Sequence, residues 1–339
     1  YSKTSLFQCR EKADETPETG GNMINVCEIL GSEYPVIQGA MARIADCHLA
    51  AAVSNGGGLG IIAAGGQTAQ WLREEIRKTK EMTDKPFGVN IMLLADNVDE
   101  LMDVVCEEKV KVITTGAGNP GKYIPRLKEN GIKVIPVVAS VALAKRVERA
   151  GADAVVAEGT EAGGHIGETT TMAMIPQMAD ALSIPVIAAG GIADGRGIAA
   201  AYMLGAKGVQ VGTRFLVAEE CTVAQSYKDA VIKAKDTDTV ATGRSTGHPV
   251  RVIKNKLSRQ VLKLEKENAD EEEINALCIG KLYAAVVEGD MDYGSVMSGQ
   301  IAGLISKQQP AAEIISEMFT EAEKIYEDRN SICRAGRSV

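Results

Sequence analysis

The chain of 339 residues is poor in several features at once. It holds no apolar run approaching the roughly 20 residues a membrane-crossing helix needs, which excludes an α-helical membrane protein. Its N-terminus has no apolar secretory core, so a cytoplasmic location is expected. Basic residues are the minority: 37 Lys and Arg against 45 Asp and Glu give a net charge of -8 and leave no basic stripe for a nucleic-acid backbone. The cysteines, Cys9, Cys27, Cys47, Cys106, Cys221, Cys278 and Cys333, are odd in number, scattered and never spaced Cys-x-x-Cys. Reduced thiols are therefore expected rather than disulfides, a zinc site or an iron–sulfur cluster. There are only three histidines, dispersed at His48, His165 and His248, which again leaves a zinc site unsupported. No Gly-x-Gly-x-x-Gly follows an early strand and no Gly-Lys-Ser/Thr loop occurs, so a Rossmann dinucleotide site and a P-loop lack their signatures.

What is present is a rhythm. With 45% hydrophobic and 24% charged residues the chain can bury a large core. Residues 1–22 are polar and precede Met23; they read as a tag or extension, outside the fold. From Ile24 onward short apolar runs alternate with amphipathic stretches such as "AQWLREEIRKTKEM" and "VALAKRVERAG". Eight strands are expected, near Val36-Ile37, Gly60-Ile62, Phe87-Asn90, Val112-Thr114, Val134-Val138, Ala154-Ala157, Val186-Ala188 and Gly208-Val211. Several are unbroken Val/Ile/Ala runs, as strands buried on both faces require, and none carries the charge of an edge strand. The pattern predicts a (β/α)8 TIM-type barrel over residues 23–221. The rhythm then breaks: residues 222–296, including the charged stretch "LEKENADEEEINAL", read as a smaller, mostly helical lid insertion. Residues 297–339 read as helices returning to the barrel wall.

In such a barrel ligands bind where the strands' C-terminal ends converge. The segments expected there are dominated by glycine: "QGAM", "AAGG", "VNIM", "TTGAGNPG", "AEGTEAGGHIG", "AAGGIADG" and "VGTRF". Glycine-rich loops after both strand seven and strand eight predict a phosphate site on Gly190, Gly191, Gly212 and Thr213, since a bare backbone lets N–H groups approach an anion. A phosphate-bearing flavin, FMN, fits that arrangement. His165 lies among three glycines on the same face, where an imidazole can donate a hydrogen bond or a proton. His48 reads as a surface residue; for His248 a role in the lid and plain packing stand equal.

The blocks "YPVIQGAM", "NGGGLGIIAAG", "KPFGVNIML", "TTGAGNPGKYIP", "AEGTEAGGHIGETTTM", "IPVIAAGGIADGRG", "QVGTRFLVAEE" and "STGHPVRVIKNKL" resemble the FMN-dependent enoyl-acyl-carrier-protein reductases of bacterial fatty-acid synthesis, known as FabK, from Met23 to about residue 320. The wider superfamily contains nitronate monooxygenase, which shares the His loop and phosphate loops. The resemblance implies a flavin against Gly39, Ala40 and Met41, reached by Asn90 and lined by Glu158, Gly163 and Gly164, with Gln210 beside the phosphate and His165 as the active-site histidine. It also implies NADH or NADPH as co-substrate, an enoyl-acyl-carrier-protein as partner, a monovalent cation as a further candidate, and a homodimer. Arg43 departs from the family pattern, with contact to a phosphate or to solvent both open. The basic stretch "RVIKNKLSRQVLK", led by Arg251 and Lys254, is a candidate docking surface for an acidic carrier. Nitronate oxidation is the alternative reaction, and a flavin-binding barrel without turnover the alternative class.

Overall fold

Alternation with a period of two sorts each strand's side chains between the two sides of a closed wall. In this computed structural model, which describes residues 25–335, eight parallel strands form that wall: β1 (Val36–Gln38), β2 (Gly60–Ala63), β3 (Phe87–Met92), β4 (Val112–Gly116), β5 (Lys133–Val138), β6 (Val155–Glu158), β8 (Val186–Ala189) and β9 (Gly208–Val211). Ile37, Ile61, Val112, Ile135, Val156 and Ile187 pack together as one buried cluster inside the wall. Their neighbours Val36, Ile62, Ile113, Val134, Val155 and Ala188 join a second cluster, shared with the surrounding helices. The strand order runs β1, β9, β8, β6, β5, β4, β3, β2, and the seam between β1 and β2 is joined by a bridge between Ile37 and Leu59. The chain is a (β/α)8 barrel, with every predicted strand in place.

Capping explains where the helices start. Asp46, Thr68, Ser140 and Asp194 each accept hydrogen bonds from backbone N–H groups in the first turn of the helix that follows. The short helix Val26–Leu30 contributes Val26, Ile29 and Leu30 to the interior cluster and lies beside Pro35 and Gly208, at the strands' N-terminal ends. The helix Ala311–Ala335 packs so closely on the helix Gly195–Met203 that a Cβ on Gly195 would stand 2.4 Å from the Ala322 nitrogen.

After β9 a smaller, mostly helical insertion carries the helices Gln225–Lys233, Lys256–Lys266, Glu271–Cys278 and Lys281–Val286. The sequence pattern predicts one charged helix across residues 264–277; there are two. Asn268 adopts φ 57, which ends the first helix, and Asp270 caps the second by accepting from Glu273 N at 2.8 Å. The insertion also holds two strands the pattern missed, β10 (Thr239–Thr242) and β11 (Val250–Ile253), paired antiparallel. They lie beyond the repeat of apolar runs and amphipathic stretches that marked the barrel strands.

Four described cysteines, Cys47, Cys106, Cys221 and Cys278, are free. Cys27 departs from the expectation of reduced thiols: it is disulfide-bonded. Residues 1–22 lie outside the described residues. No described helix is long and apolar enough to cross a membrane.

Candidate active site

A cavity of about 660 Å³ opens at the C-terminal ends of the strands, within the range of small-molecule sites. All the residues predicted from sequence meet there. Gly39, Ala40 and Met41 follow β1, Asn90 projects from β3, and Glu158 ends β6. Gly190 and Gly191 follow β8; Gln210 on β9 and the adjoining Gly212 and Thr213 complete the far wall. Gly163, Gly164 and His165 come from the loop after β6.

The two glycine-rich loops are built for close approach. Gly190 and Gly191 have φ 92 and φ 73, and a Cβ on Gly190 would stand 2.9 Å from the Gly159 carbonyl oxygen. A Cβ on Gly39 would meet the Gly212 Cα at 3.5 Å, so the loops after β1 and β9 touch. Within the described residues no backbone hydrogen bond takes up the N–H groups of Gly190, Gly191, Gly212 or Thr213. Four adjoining donors without internal partners suit an anion with several oxygens. The Thr213 hydroxyl is engaged elsewhere, accepting from Gly299 N at 2.9 Å.

Side chains around the cavity are held from behind. Asn90 Nδ2 donates to Thr114 Oγ1 on β4 at 2.9 Å, which orients its amide. Glu161, which the sequence reading passed over, accepts from the Thr171 N–H at 3.0 Å and the Thr171 hydroxyl at 2.9 Å. Thr171 opens the helix Thr171–Ala181, whose positive end suits a carboxylate. A charged residue inside a glycine loop, ten positions ahead of a helix start, was the available signal.

His165 sits on the cavity wall within β7 (Gly164–His165), a two-residue strand that the insertion supplies with a partner. Val250 pairs with His165 and Arg251 with Gly164, and Ile166 N donates to the Pro249 carbonyl at 3.1 Å. The third tie is Arg244, whose Nη1 reaches both carboxylate oxygens of Glu168 at 2.6 and 2.8 Å. Protein packed around His165 and the neighbouring His248 hold its pKa below the ordinary imidazole value, although its edge is exposed to the cavity. His248 lines the same cavity, while His48 lies on the surface, 3.5 Å from Asp46. Arg43 is exposed, with a left-handed φ of 62.

Arg251 corrects the sequence reading. As the second residue of β11 it is buried, 6% exposed, and its Nε donates to the Thr160 carbonyl at 3.1 Å. Its side chain reaches the loop that leads to His165, so Arg251 is no part of a docking surface. Replacing Arg251 by Ala should lower stability by about 1–3 kcal/mol, the cost of stranding a buried partner, measured by denaturant unfolding. Stability equal to wild type would refute that tie.

The sequence profile of the nitronate monooxygenase family matches residues 24–103 and 94–321. The chain belongs to this family. Among family relatives, a probable nitronate monooxygenase of Staphylococcus saprophyticus is 35% identical, over 88% of this chain and 98% of that protein. A hydroxy-methyl-oxo-octahydroindene-carboxyl-CoA dehydrogenase of Rhodococcus jostii is 34% identical over 88% and 95%. Among solved structures, FabK from Thermotoga maritima is 50% identical with a TM-score of 0.88, covering 91% of this chain and 98% of that one. A nitroalkane oxidase from Streptomyces ansochromogenes is 28% identical with a TM-score of 0.80. As a member of the nitronate monooxygenase family the chain is an oxidoreductase.

Proposed function

We propose that this family member is an FMN-dependent enoyl-acyl-carrier-protein reductase, taking its electrons from NADH or NADPH. The observation that carries the reading is the 50% identity to FabK across 91% of the chain. The cavity supports it. Gly190, Gly191, Gly212 and Thr213 would hold the FMN phosphate, and Gly39, Ala40, Met41 and Asn90 would lie along the ring. When bound, FMN supplies hydride transfer from a nicotinamide to the β-carbon of a trans-2-enoyl thioester. The protein's own part is orientation and proton supply. His165 delivers a proton to the thioester α-carbon, or holds the water that does so. Leu216 and Ile301, also on the cavity wall, keep bulk water from the reacting atoms. The acyl-carrier partner, a homodimer, a cytoplasmic location and a monovalent-cation requirement are part of this reading, and rest on the resemblance to the reductases.

The family profile favours a second reaction, oxidation of alkyl nitronates with consumption of O₂. One experiment separates the two. The flavin is reduced anaerobically with NADH, a short trans-2-enoyl thioester is added, and the flavin absorbance is followed. Return of the oxidised spectrum with saturated thioester formed is expected. Bound flavin that NADH leaves oxidised, and that an alkyl nitronate reduces, would replace the reductase by the nitronate reaction.

A further inference from the structure

Glu158 is the one carboxyl group among the predicted site residues, and it has no assigned chemistry. It ends β6, paired in register with Ala189 on β8, on the cavity wall. Among the described residues no hydrogen bond or ion pair takes up its carboxyl oxygens. The charged and titratable groups on the surrounding segments are Glu161 and His165 in the loop that follows, and His248 and Arg251 from the insertion. Glu161 is taken up by Thr171 and the Arg251 Nε by the Thr160 carbonyl. The ends of β5 and β8 bring Val137, Val138, Ala139, Ala189, Gly190, Gly191 and Ile192 to this wall, none of them charged. A carboxylate here would lack any countercharge, whereas a neutral acid lacks only an acceptor for its O–H, which a bound ligand can provide.

Resting on the FMN reading above, we propose that Glu158 meets the cofactor ring as a neutral carboxylic acid and donates a hydrogen bond to one of the ring's acceptor atoms. Burial supports this by holding the carboxyl well above the ordinary range, at about 7. The sign follows: the donor is present below about pH 7 and is lost as pH rises through that value, so FMN affinity should fall with increasing pH.

The test is titration of the apoprotein with FMN, followed by quenching of flavin fluorescence, between about pH 5.5 and about pH 9. Wild type, Glu158→Gln and Glu158→Ala are compared. In wild type Kd should rise by up to about tenfold per pH unit above about 7. Glu158→Gln keeps a neutral donor and should lose this dependence, overtaking wild type at alkaline pH. Glu158→Ala should bind about tenfold more weakly than wild type on the acid side. The FMN phosphate itself titrates near pH 6 in all three proteins, so the difference between wild type and Glu158→Gln carries the result. Parallel curves for those two, or wild-type binding that tightens above about pH 7, would overturn the role of Glu158 while leaving the cofactor reading standing. If Glu158→Gln does not fold, the wild-type curve decides, a flat profile from about pH 7 to about pH 9 counting against the proposal. A wild-type protein that binds no FMN at about pH 6 would remove the cofactor reading and this proposal together.

Discussion

Replacing His165 by Ala is expected to lower kcat for enoyl-thioester reduction by about 10²- to 10⁴-fold, the usual worth of a positioned proton donor, while FMN stays bound within about twofold of wild type. The two effects separate because the imidazole stands on the cavity wall within β7, whereas the candidate phosphate donors belong to the loops after β8 and β9. The pH profile adds an independent reading. Burial and His248 hold the imidazole below its ordinary pKa, so its protonated fraction, and with it a turnover limited by proton delivery, should decline as pH rises through that lowered value. Replacing His248 by Gln removes the second cause and should move the decline to higher pH. Turnover in the His165 variant equal to wild type would take the residue out of the mechanism.

The largest structural effect is expected at Gly60. It is the first residue of β2, where the strand passes directly over the helix Cys47–Asn55. A Cβ at Gly60 would lie 1.9 Å from the Ala50 carbonyl oxygen and 2.5 Å from its carbon. Those are backbone atoms inside a helix and cannot swing aside, so helix and strand must separate to admit one methyl group. Gly60→Ala should destabilise by about 4 kcal/mol or more, with Tm lower by roughly 10 °C. Gly116 is the control, because a Cβ there would meet nothing within 4 Å. Gly116→Ala should melt within about 2 °C of wild type. Equal melting temperatures for the Gly60 and Gly116 variants would show that the close approach at Gly60 relaxes at little cost.

Some of the molecule follows from the chain alone. The barrel was legible because strands buried on both faces must be continuous Val/Ile/Ala runs, and because amphipathic stretches such as "AQWLREEIRKTKEM" recur between them. The position of the cavity was legible for a related reason: in a parallel barrel every segment after a strand reaches the same end, so glycine-rich segments separated in sequence share one mouth. Residues such as Gly39, Asn90 and Gly212 needed no knowledge of packing to be assigned to it.

Tertiary structure alone decided the rest. The pairing of β11 with β7, which makes the insertion part of the His165 wall, joins residues more than 80 positions apart and outside the βα repeat. The burial of Arg251 reverses its reading from surface charge to internal tie, because a charge in sequence does not say which side of a strand faces protein. Glu161 acquires its role from a helix start ten residues away, and Glu158 its isolation from neighbours that bring it no countercharge. Periodicity and capping act over a few residues and are written locally. Burial and the pairing of polar groups depend on which distant segments arrive beside them, and those are set only when the barrel closes and the insertion settles on its mouth.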